Sequence, residues 1–167
     1  MEVFYIIVVA SGYKWQKVGD YMFMGEYRHN IDEKGRIVLP GKFRDIARDK
    51  IIVSKGIEKC LYLYTTEEWE NMVTHLNKLP YTKRDTRAYM RNIFAGATAS
   101  EFDRMGRINI TSPLISYAGL TKETVIIGVN DHIEIWDKEI FENYMNENAS
   151  KIEDIAENLF EGFNETL

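Results

Sequence analysis

The sequence contains few cysteines, histidines and prolines. Its 167 residues include one cysteine, three prolines and three histidines. The single cysteine, Cys60, excludes an internal disulfide, so the fold must depend on packing, and we expect a reducing compartment, the cytoplasm. Hydrophobic residues make up 45% of the chain and charged residues 28%, which excludes a disordered or low-complexity chain. The length suits one compact domain or two small ones.

The sequence also lacks a long apolar run. Residues 3–10 form the one stretch that suggests a membrane or targeting segment. A bilayer-spanning helix needs about 20 apolar residues, and a secretory signal needs a positively charged start, where this chain has Glu2. We therefore expect no membrane partner. The run is either a buried strand or part of an extension. Met22 and Met24 come just before the first strongly patterned segment. We therefore expect residues 1–21 to lie upstream of the true start and to have no function.

The sequence does contain a repeat. Residues 32–39 and 103–110, offset by 71 positions, both follow the pattern Asp-x-x-Gly-Arg-Ile-x-apolar. The same order of segments follows both copies: a short polar segment, a strand, a turn, a strand and the start of a helix with an aromatic residue. Each copy spans about 40 to 45 residues, hardly enough to bury a core alone. We therefore expect the two copies to pack together.

The motif itself predicts a tight turn. Asp at its first position and Gly at its fourth suit a type I turn with a G1 bulge, in which Gly35 and Gly106 adopt positive φ. Arg36 and Arg107 then begin the return strand of a hairpin in each copy. A short helix follows each hairpin, and a second hairpin follows each helix.

The patterning predicts an α+β fold with a helical hairpin between the copies. The predicted strands are residues 27–31, 51–54, 60–64, 98–102, 125–129 and 133–136. The predicted helices are residues 41–48, 112–118 (N-cap Ser112, N1 Pro113, stop at Gly119), a segment from the capping box of Thr65 and Glu68 to Pro80, residues 83–94, and an amphipathic C-terminal helix. The predicted divisions are an extension, 1–21; a first repeat, 22–66; a linking helical hairpin, 67–97; a second repeat, 98–137; and an acidic C-terminal helix and tail, 138–167.

Charge is segregated along the chain. Residues 24–60 contain nine basic and six acidic residues, a net charge of +3, whereas residues 137–167 contain nine acidic and two basic residues, a net charge of −7. The total net charge of −5 therefore does not exclude nucleic acid, since phosphate binding depends on the local patch and on counterion release. A basic β region with an acidic appendage is compatible with DNA binding, and also with a solvated surface of scattered ion pairs.

The residue patterns of an enzyme or a metal site are not found in the sequence. The three histidines lie in different contexts, without the spacing of a metal site. Gly35, Gly41 and Lys42 lack the spacing of a phosphate-binding loop, and Phe43 stands where Ser or Thr must hold magnesium. Cys60 is expected to pack as a small hydrophobe rather than act as a nucleophile. We therefore expect no catalysis, no cofactor, no metal and no small-molecule substrate.

The Asp and Arg of each motif have two interpretations. Asp32 and Asp103 are more simply turn residues that cap nearby amides than an acid/base pair. In a structural interpretation, each Asp forms a salt bridge across its turn, with Arg36 or Arg107. In a functional interpretation, each Arg is stiffened by the Asp, is flanked by a second cation and faces DNA from a rigid turn. The two interpretations are compatible with each other.

The motif residues have counterparts in a known family. They are Asp32-Glu33-Lys34-Gly35-Arg36, Leu39-Pro40 and Phe43-Arg44 in the first copy, and Asp103, Gly106-Arg107-Ile108 and Tyr117-Ala118-Gly119-Leu120 in the second. Over residues 22–148 the chain resembles the MraZ family, bacterial regulators associated with the division and cell-wall gene cluster. The resemblance implies AbrB-like swapped-hairpin repeats that form a pseudo-two-fold barrel, DNA binding through the Asp and Arg motif, and assembly of chains into a closed ring. Because Leu114-Ile115 stands where the family commonly has Leu-Arg, we expect the second short helix to contribute less positive charge.

The predicted function is sequence-specific binding of double-stranded DNA by a cytoplasmic, nucleoid-associated transcriptional regulator. The predicted DNA-binding residues are Lys34, Arg36, Arg104 and Arg107, supported by the turn residues Asp32, Gly35, Asp103 and Gly106. We expect a homo-oligomeric ring that binds tandem repeats in the promoter of the division and cell-wall cluster. Two alternatives stay open: an antitoxin-like regulator of the same fold whose acidic C-terminal segment binds a partner protein, and a purely structural ring held by the Asp and Arg pairs.

Overall fold

The computed structural model describes residues 4–9, 12–17 and 22–161. These residues form a mixed α+β fold in which the paired strands are antiparallel, which confirms the predicted fold class. The described residues divide after Asp137 into two compact units.

The first unit contains the strands and four of the helices. The strands are β1 (Phe4–Val9), β2 (Gly12–Lys17), β3 (Phe23–Asn30), β4 (Arg36–Val38), β5 (Lys50–Lys55), β6 (Leu61–Tyr64), β7 (Thr98–Glu101), β8 (Arg107–Asn109), β9 (Glu123–Asn130) and β10 (His132–Asp137). The helices are α1 (Gly41–Ala47), α2 (Thr66–Leu76), α3 (Arg84–Gly96) and α4 (Ser112–Ala118). From β3 to β6 the order is two strands, a helix and two strands, and the same order recurs from β7 to β10. The predicted recurrence of element order is confirmed.

The strands of the two repeats pair with each other. Six strands form one sheet in the order β3-β9-β10-β6-β5-β7, β4 pairs with β8 in a separate two-stranded ladder, and β1 pairs with β2. Exchanging each strand of the first repeat for its counterpart in the second, β3 for β7, β4 for β8, β5 for β9 and β6 for β10, reverses the sheet order and leaves every pairing unchanged. Each repeat therefore completes the sheet of the other.

Two expectations about these strands need correction. The motif predicts a hairpin ladder within each copy, but β3 pairs with β9, and β4 pairs with β8. The physical reason is burial: β4 and β8 have three residues each, and pairing them places Ile37 directly opposite Ile108, both 1% exposed. The closed barrel implied by the family resemblance is not seen among the described strands, since the six-stranded sheet ends at β3 and β7.

Local sequence determines how the helices begin and end. The hydroxyl of Thr65 accepts a hydrogen bond from the amide of Glu68 at 3.1 Å, as the capping box predicts. Gly119 follows α4 in the left-handed region, with φ of 61°, and stops the helix as predicted. The start of α4 differs by one residue from the prediction, because Thr111 is the N-cap and Ser112 is already helical.

One hydrophobic cluster includes residues of both repeats. The short helices contribute Phe43 and its counterpart Leu114, which are 0% and 1% exposed. The ring of Phe43 meets the rings of Phe23 and Tyr27 edge to face, with centroids 5.4 and 5.2 Å apart. Cys60 is buried, as expected of a small hydrophobe, and burial raises the pKa of its thiol. The expectation that the copies share a core is confirmed.

The second unit contains α5 (Lys138–Ala149) and α6 (Ile152–Phe160). The sequence predicts a C-terminal helix here, and the described residues form two, separated by a turn at Ser150 and Lys151. Within residues 4–9, 12–17 and 22–161, no helix is long and apolar enough to cross a bilayer. Over the same ranges, no three side chains of His, Cys, Asp or Glu come together as a group that could hold a metal ion.

Candidate nucleic-acid interface

The first motif turn, residues 32–36, is closed by hydrogen bonds among its own five residues. The amide of Gly35 donates to the carbonyl oxygen of Asp32, and the amide of Asp32 donates to the carbonyl oxygen of Arg36, both at 2.9 Å. Asp32 Oδ1 also accepts from the backbone amides of Lys34 and Arg36, at 2.9 Å each. Gly35 has φ of 77°, which a type I turn with a G1 bulge requires. The predicted turn is confirmed.

The second motif turn, residues 103–107, has the same geometry. The amide of Gly106 donates to the carbonyl oxygen of Asp103 at 2.9 Å, and Gly106 has φ of 74°. Asp103 Oδ1 accepts from the amides of Met105 and Arg107 at 2.9 Å each. The two turns therefore differ in side chains and not in backbone conformation. At their tips, Glu33 and Lys34 of the first turn correspond to Arg104 and Met105 of the second.

Each motif arginine pairs with its aspartate through a single nitrogen. Nε donates to Asp Oδ2 at 2.7 Å in both turns, from Arg36 to Asp32 and from Arg107 to Asp103. The side chains of Arg36 and Arg107 remain 35% and 23% exposed. Among the described residues, the Nη atoms have no partner, so four of the five N–H donors of each guanidinium are available. The structural salt bridge is confirmed, and it leaves the outer edge of each guanidinium open to a ligand.

The aspartates of the turns are acceptors fixed in the ionised state. The pKa of Asp32 is lowered from its usual value, mainly because its carboxylate accepts a hydrogen bond from the backbone amide of Arg36. Bonds from the Arg36 side chain and the Lys34 amide add to this effect, and together they outweigh the desolvation that would raise the pKa. The equivalent bonds from Arg107 and Met105 lower the pKa of Asp103 in the same way. Because both carboxyls are ionised at neutral pH and bonded to the turn, they suit a structural role.

The β4–β8 ladder places the two motif arginines on one face. Its register sets Arg36 opposite Asn109, Ile37 opposite Ile108 and Val38 opposite Arg107. Side chains alternate between the faces of a strand, so the burial of the two isoleucines directs the other side chains to the opposite face. We call this surface the ribbon face; it consists of Arg36, Val38, Arg107 and Asn109. Lys34 and Arg104, at the tips of the adjoining turns, are exposed.

Each turn is anchored by the other repeat. The amide of Ile110 donates to the carbonyl oxygen of Gly35 at 2.7 Å, and the amide of Leu39 donates to the carbonyl oxygen of Gly106 at 3.2 Å. A methyl group built on Gly35 would lie 2.5 Å from the Ile110 carbonyl oxygen. The turns are therefore positioned by contacts between the repeats as well as by their own hydrogen bonds.

Two residues at this surface are not among the predicted DNA-binding residues. Asn109 is exposed on the ribbon face, and only the strand register shows that it lies opposite Arg36. Arg44, on α1 of the first repeat, lies against Gly106 of the second turn, where a methyl group built on the glycine would lie 2.5 Å from Arg44 Nη1. The residue types of both are common in DNA interfaces, but the sequence gives no indication of their position.

Gly35→Ala is expected to destabilise the protein by about 2 kcal/mol or more, because alanine is strained at positive φ and its methyl group would collide with backbone. The matched control is Gly41→Ala, at the first position of α1, where φ is not positive and the nearest atom would be 3.6 Å away. Chemical denaturation of both variants measures the difference. Equal free energies of unfolding would show that the Gly35 turn tolerates a side chain.

The fold and the site together define a class of protein: two β repeats that complete each other's sheet and present a two-stranded ribbon with an arginine from each repeat. The comparisons with known proteins give the family. The model of the family described as "MraZ protein, putative antitoxin-like" matches twice, at residues 22–92 and 93–163. These two matches cover most of the 167 residues, so the chain belongs to the MraZ family.

A curated relative agrees with this assignment. The chain is 51% identical to the "Transcriptional regulator MraZ" of Lactobacillus helveticus (strain DPC 4571) over 138 residues, which are 83% of this chain and 96% of that protein. The resemblance found in the sequence is therefore confirmed, and the relative is named as a transcriptional regulator, which is not an enzyme.

Proposed function

We propose that this chain is a transcriptional regulator that binds double-stranded DNA in a sequence-specific way through the ribbon face. The observation that supports this most strongly is the open outer edge of both motif guanidiniums, Arg36 and Arg107, on one face of a two-stranded ladder. The major groove of B-DNA is wide enough to admit a two-stranded β ribbon. Arginine is also the residue that most often contacts guanine there, through O6 and N7.

The residues at the site then have distinct roles. Arg36 and Arg107 contact base edges, and the exposed tip residues Lys34 and Arg104 contact phosphates, which fix the register without specifying sequence. The turn residues hold these side chains in place through the hydrogen bonds described above; they are Asp32, Gly35, Asp103 and Gly106. Preorganisation of this kind lowers the entropy cost of binding.

The proposal extends to assembly and location. One ribbon offers few base contacts, so several chains in a homo-oligomeric ring, each on one of several tandem promoter repeats, would gain affinity by multivalency. DNA repeats spaced by one turn of the double helix, about 34–36 Å, suit a ring of this kind. The proposed sites are those in the promoter of the division and cell-wall cluster, and the proposed location is the nucleoid. The sheet order reverses when each strand is exchanged for its counterpart in the other repeat, and this symmetry supports an AbrB-like exchange of hairpins between the repeats.

The direct test is an electrophoretic mobility shift with the DNA upstream of the chain's own gene, with a shuffled duplex of equal length as competitor. We expect a shift that the shuffled duplex does not displace and that weakens steeply as salt rises. Mass measurement of the free protein in the same buffer tests the ring. Binding of both duplexes with equal affinity would contradict sequence-specific regulation.

A second candidate is an antitoxin-like regulator, which the description of the family model favours. In this chain, α6 combines the acidic residues Glu153 and Asp154 with Ile152 and Leu159, which are 62% and 68% exposed. Under this candidate, a basic partner protein co-purifies with the full chain and is lost when residues 147–167 are deleted. If no partner is found in either sample and DNA binding survives the same deletion, the antitoxin-like candidate is contradicted and the proposal of a DNA-binding regulator stands.

A further inference from the structure

The two motif turns contact different residues of the opposite repeat. Beside Gly35 of the first turn lies Ile115 of α4, whose Cδ1 would be 3.1 Å from a methyl group built on the glycine. Beside Gly106 of the second turn lies Arg44 of α1. Arg44 and Ile115 are 71 positions apart and are therefore counterparts in the two repeats. The same place in the fold is thus apolar at one turn and cationic at the other.

Arg44 is fixed against the second turn through its inner nitrogen. Its Nε donates to the carbonyl oxygen of Leu39 at 3.1 Å, and the amide of Leu39 donates to the carbonyl oxygen of Gly106 at 3.2 Å. Nη1 and Cζ would lie 2.5 and 2.6 Å from a methyl group on Gly106, so the guanidinium lies directly against the turn. Within residues 22–161, the Nη atoms of Arg44 have no hydrogen-bond partner and no acidic side chain pairs with them. Arg44 is half-buried, and its outer donors carry no protein partner in this part of the chain.

Arg44 increases a difference in charge between the turns. Residues 32–36 contain two acids and two bases and have no net charge, whereas residues 103–107 contain one acid and two bases and have a net charge of +1. With Arg44 beside it, the second turn has a local charge of +2. Phosphate attraction depends on such local charge.

We propose that Arg44 is a further DNA-phosphate-binding residue, which acts with the second turn although it belongs to the first repeat. This inference rests on the proposed function. It follows that the two turns of one chain are inequivalent, and that the second turn supplies the larger electrostatic part of the affinity. Ile115, the counterpart of Arg44, lies beside the first turn. Because Ile115 is uncharged, it is the first turn that lacks the additional positive charge, although Ile115 belongs to the second repeat.

The test is the salt dependence of binding to the upstream duplex, measured by fluorescence anisotropy between about 50 and 200 mM salt. Arg44→Gln keeps a polar side chain but removes the charge. We expect it to reduce the slope of log K against log salt by about 0.9, the value for one phosphate contact, and to weaken binding about fivefold at 150 mM. The matched control is Lys42→Gln, which removes one charge from an exposed position on the same helix, and we expect its slope to stay within error of the wild type.

A reciprocal variant tests the same inference by adding a positive charge beside the first turn. Ile115→Arg places a guanidinium beside the first turn and is expected to increase the slope by about 0.9. Because Ile115 packs against the core, the thermal unfolding of the Ile115→Arg variant is measured first. If this variant does not fold, the comparison of Arg44→Gln with Lys42→Gln tests the inference. An unchanged slope for Arg44→Gln, or an equal change for Lys42→Gln, would overturn the role of Arg44 while wild-type binding stands. Absence of specific binding by the wild type would instead overturn the proposed function itself.

Discussion

The double variant Arg36→Ala/Arg107→Ala is expected to bind the upstream duplex about 30-fold to 20,000-fold more weakly than the wild type. A good bidentate contact from arginine to guanine contributes about 1–3 kcal/mol of discrimination, and a tenfold change in affinity corresponds to about 1.4 kcal/mol. The loss should be largest for the specific duplex and smaller for a shuffled one, because only the specific duplex offers the base contacts. Anisotropy titrations with both duplexes at fixed salt measure the two effects.

The turns should survive this substitution. Their closure depends on backbone amides that donate to Asp32 and Asp103, and these bonds do not involve the arginine side chains. A charge-matched control is Arg84→Ala/Arg91→Ala, which removes two exposed arginines from α3. If the ribbon variant binds as tightly as this control, the assigned DNA-binding residues are wrong. If it instead loses its oligomeric mass on a sizing column, the arginines serve assembly, as in a purely structural ring.

Ile37→Ala is expected to lower the free energy of unfolding by about 2–5 kcal/mol, the usual cost of a large-to-small change in a well-packed core. Ile37 is 1% exposed and is paired with Ile108, so the cavity would open beneath the ribbon face. Since domains are stable by only about 5–15 kcal/mol, the loss is a large fraction of the total. Urea denaturation followed by circular dichroism measures it.

Ile57→Ala provides a control with the same change of atoms, because Ile57 is 72% exposed. We expect it to alter stability by less than about 0.5 kcal/mol. A cost at Ile37 as small as the cost at Ile57 would show that the ladder between the repeats contributes little to the fold, and that the arginines are not held by it.

The parts of this molecule that the sequence predicts are the local ones. The turn at residues 32–36 follows from an Asp and a Gly three positions apart, because its hydrogen bonds join residues within that segment. The cap at Thr65 and the stop at Gly119 are local in the same sense. For such features the sequence contains all the interacting groups, so spacing alone is sufficient to identify them.

The parts that the sequence did not predict depend on contacts between the repeats. The motif is compatible with a hairpin inside each copy, whereas the observed pairing of β4 with β8 buries Ile37 against Ile108. The exposed position of Asn109 opposite Arg36 follows from that register. The contact of Arg44 with Gly106 joins residues of different repeats, and no pattern within either repeat predicts it.

The most direct test is the structure of the chain bound to its upstream duplex. We expect the β4–β8 ladder in the major groove, with the guanidiniums of Arg36 and Arg107 within hydrogen-bonding distance of base edges, about 2.7–3.2 Å. A complex in which DNA lies elsewhere on the chain, with the ribbon face covered by a neighbouring subunit or left in solvent, would contradict the proposed function.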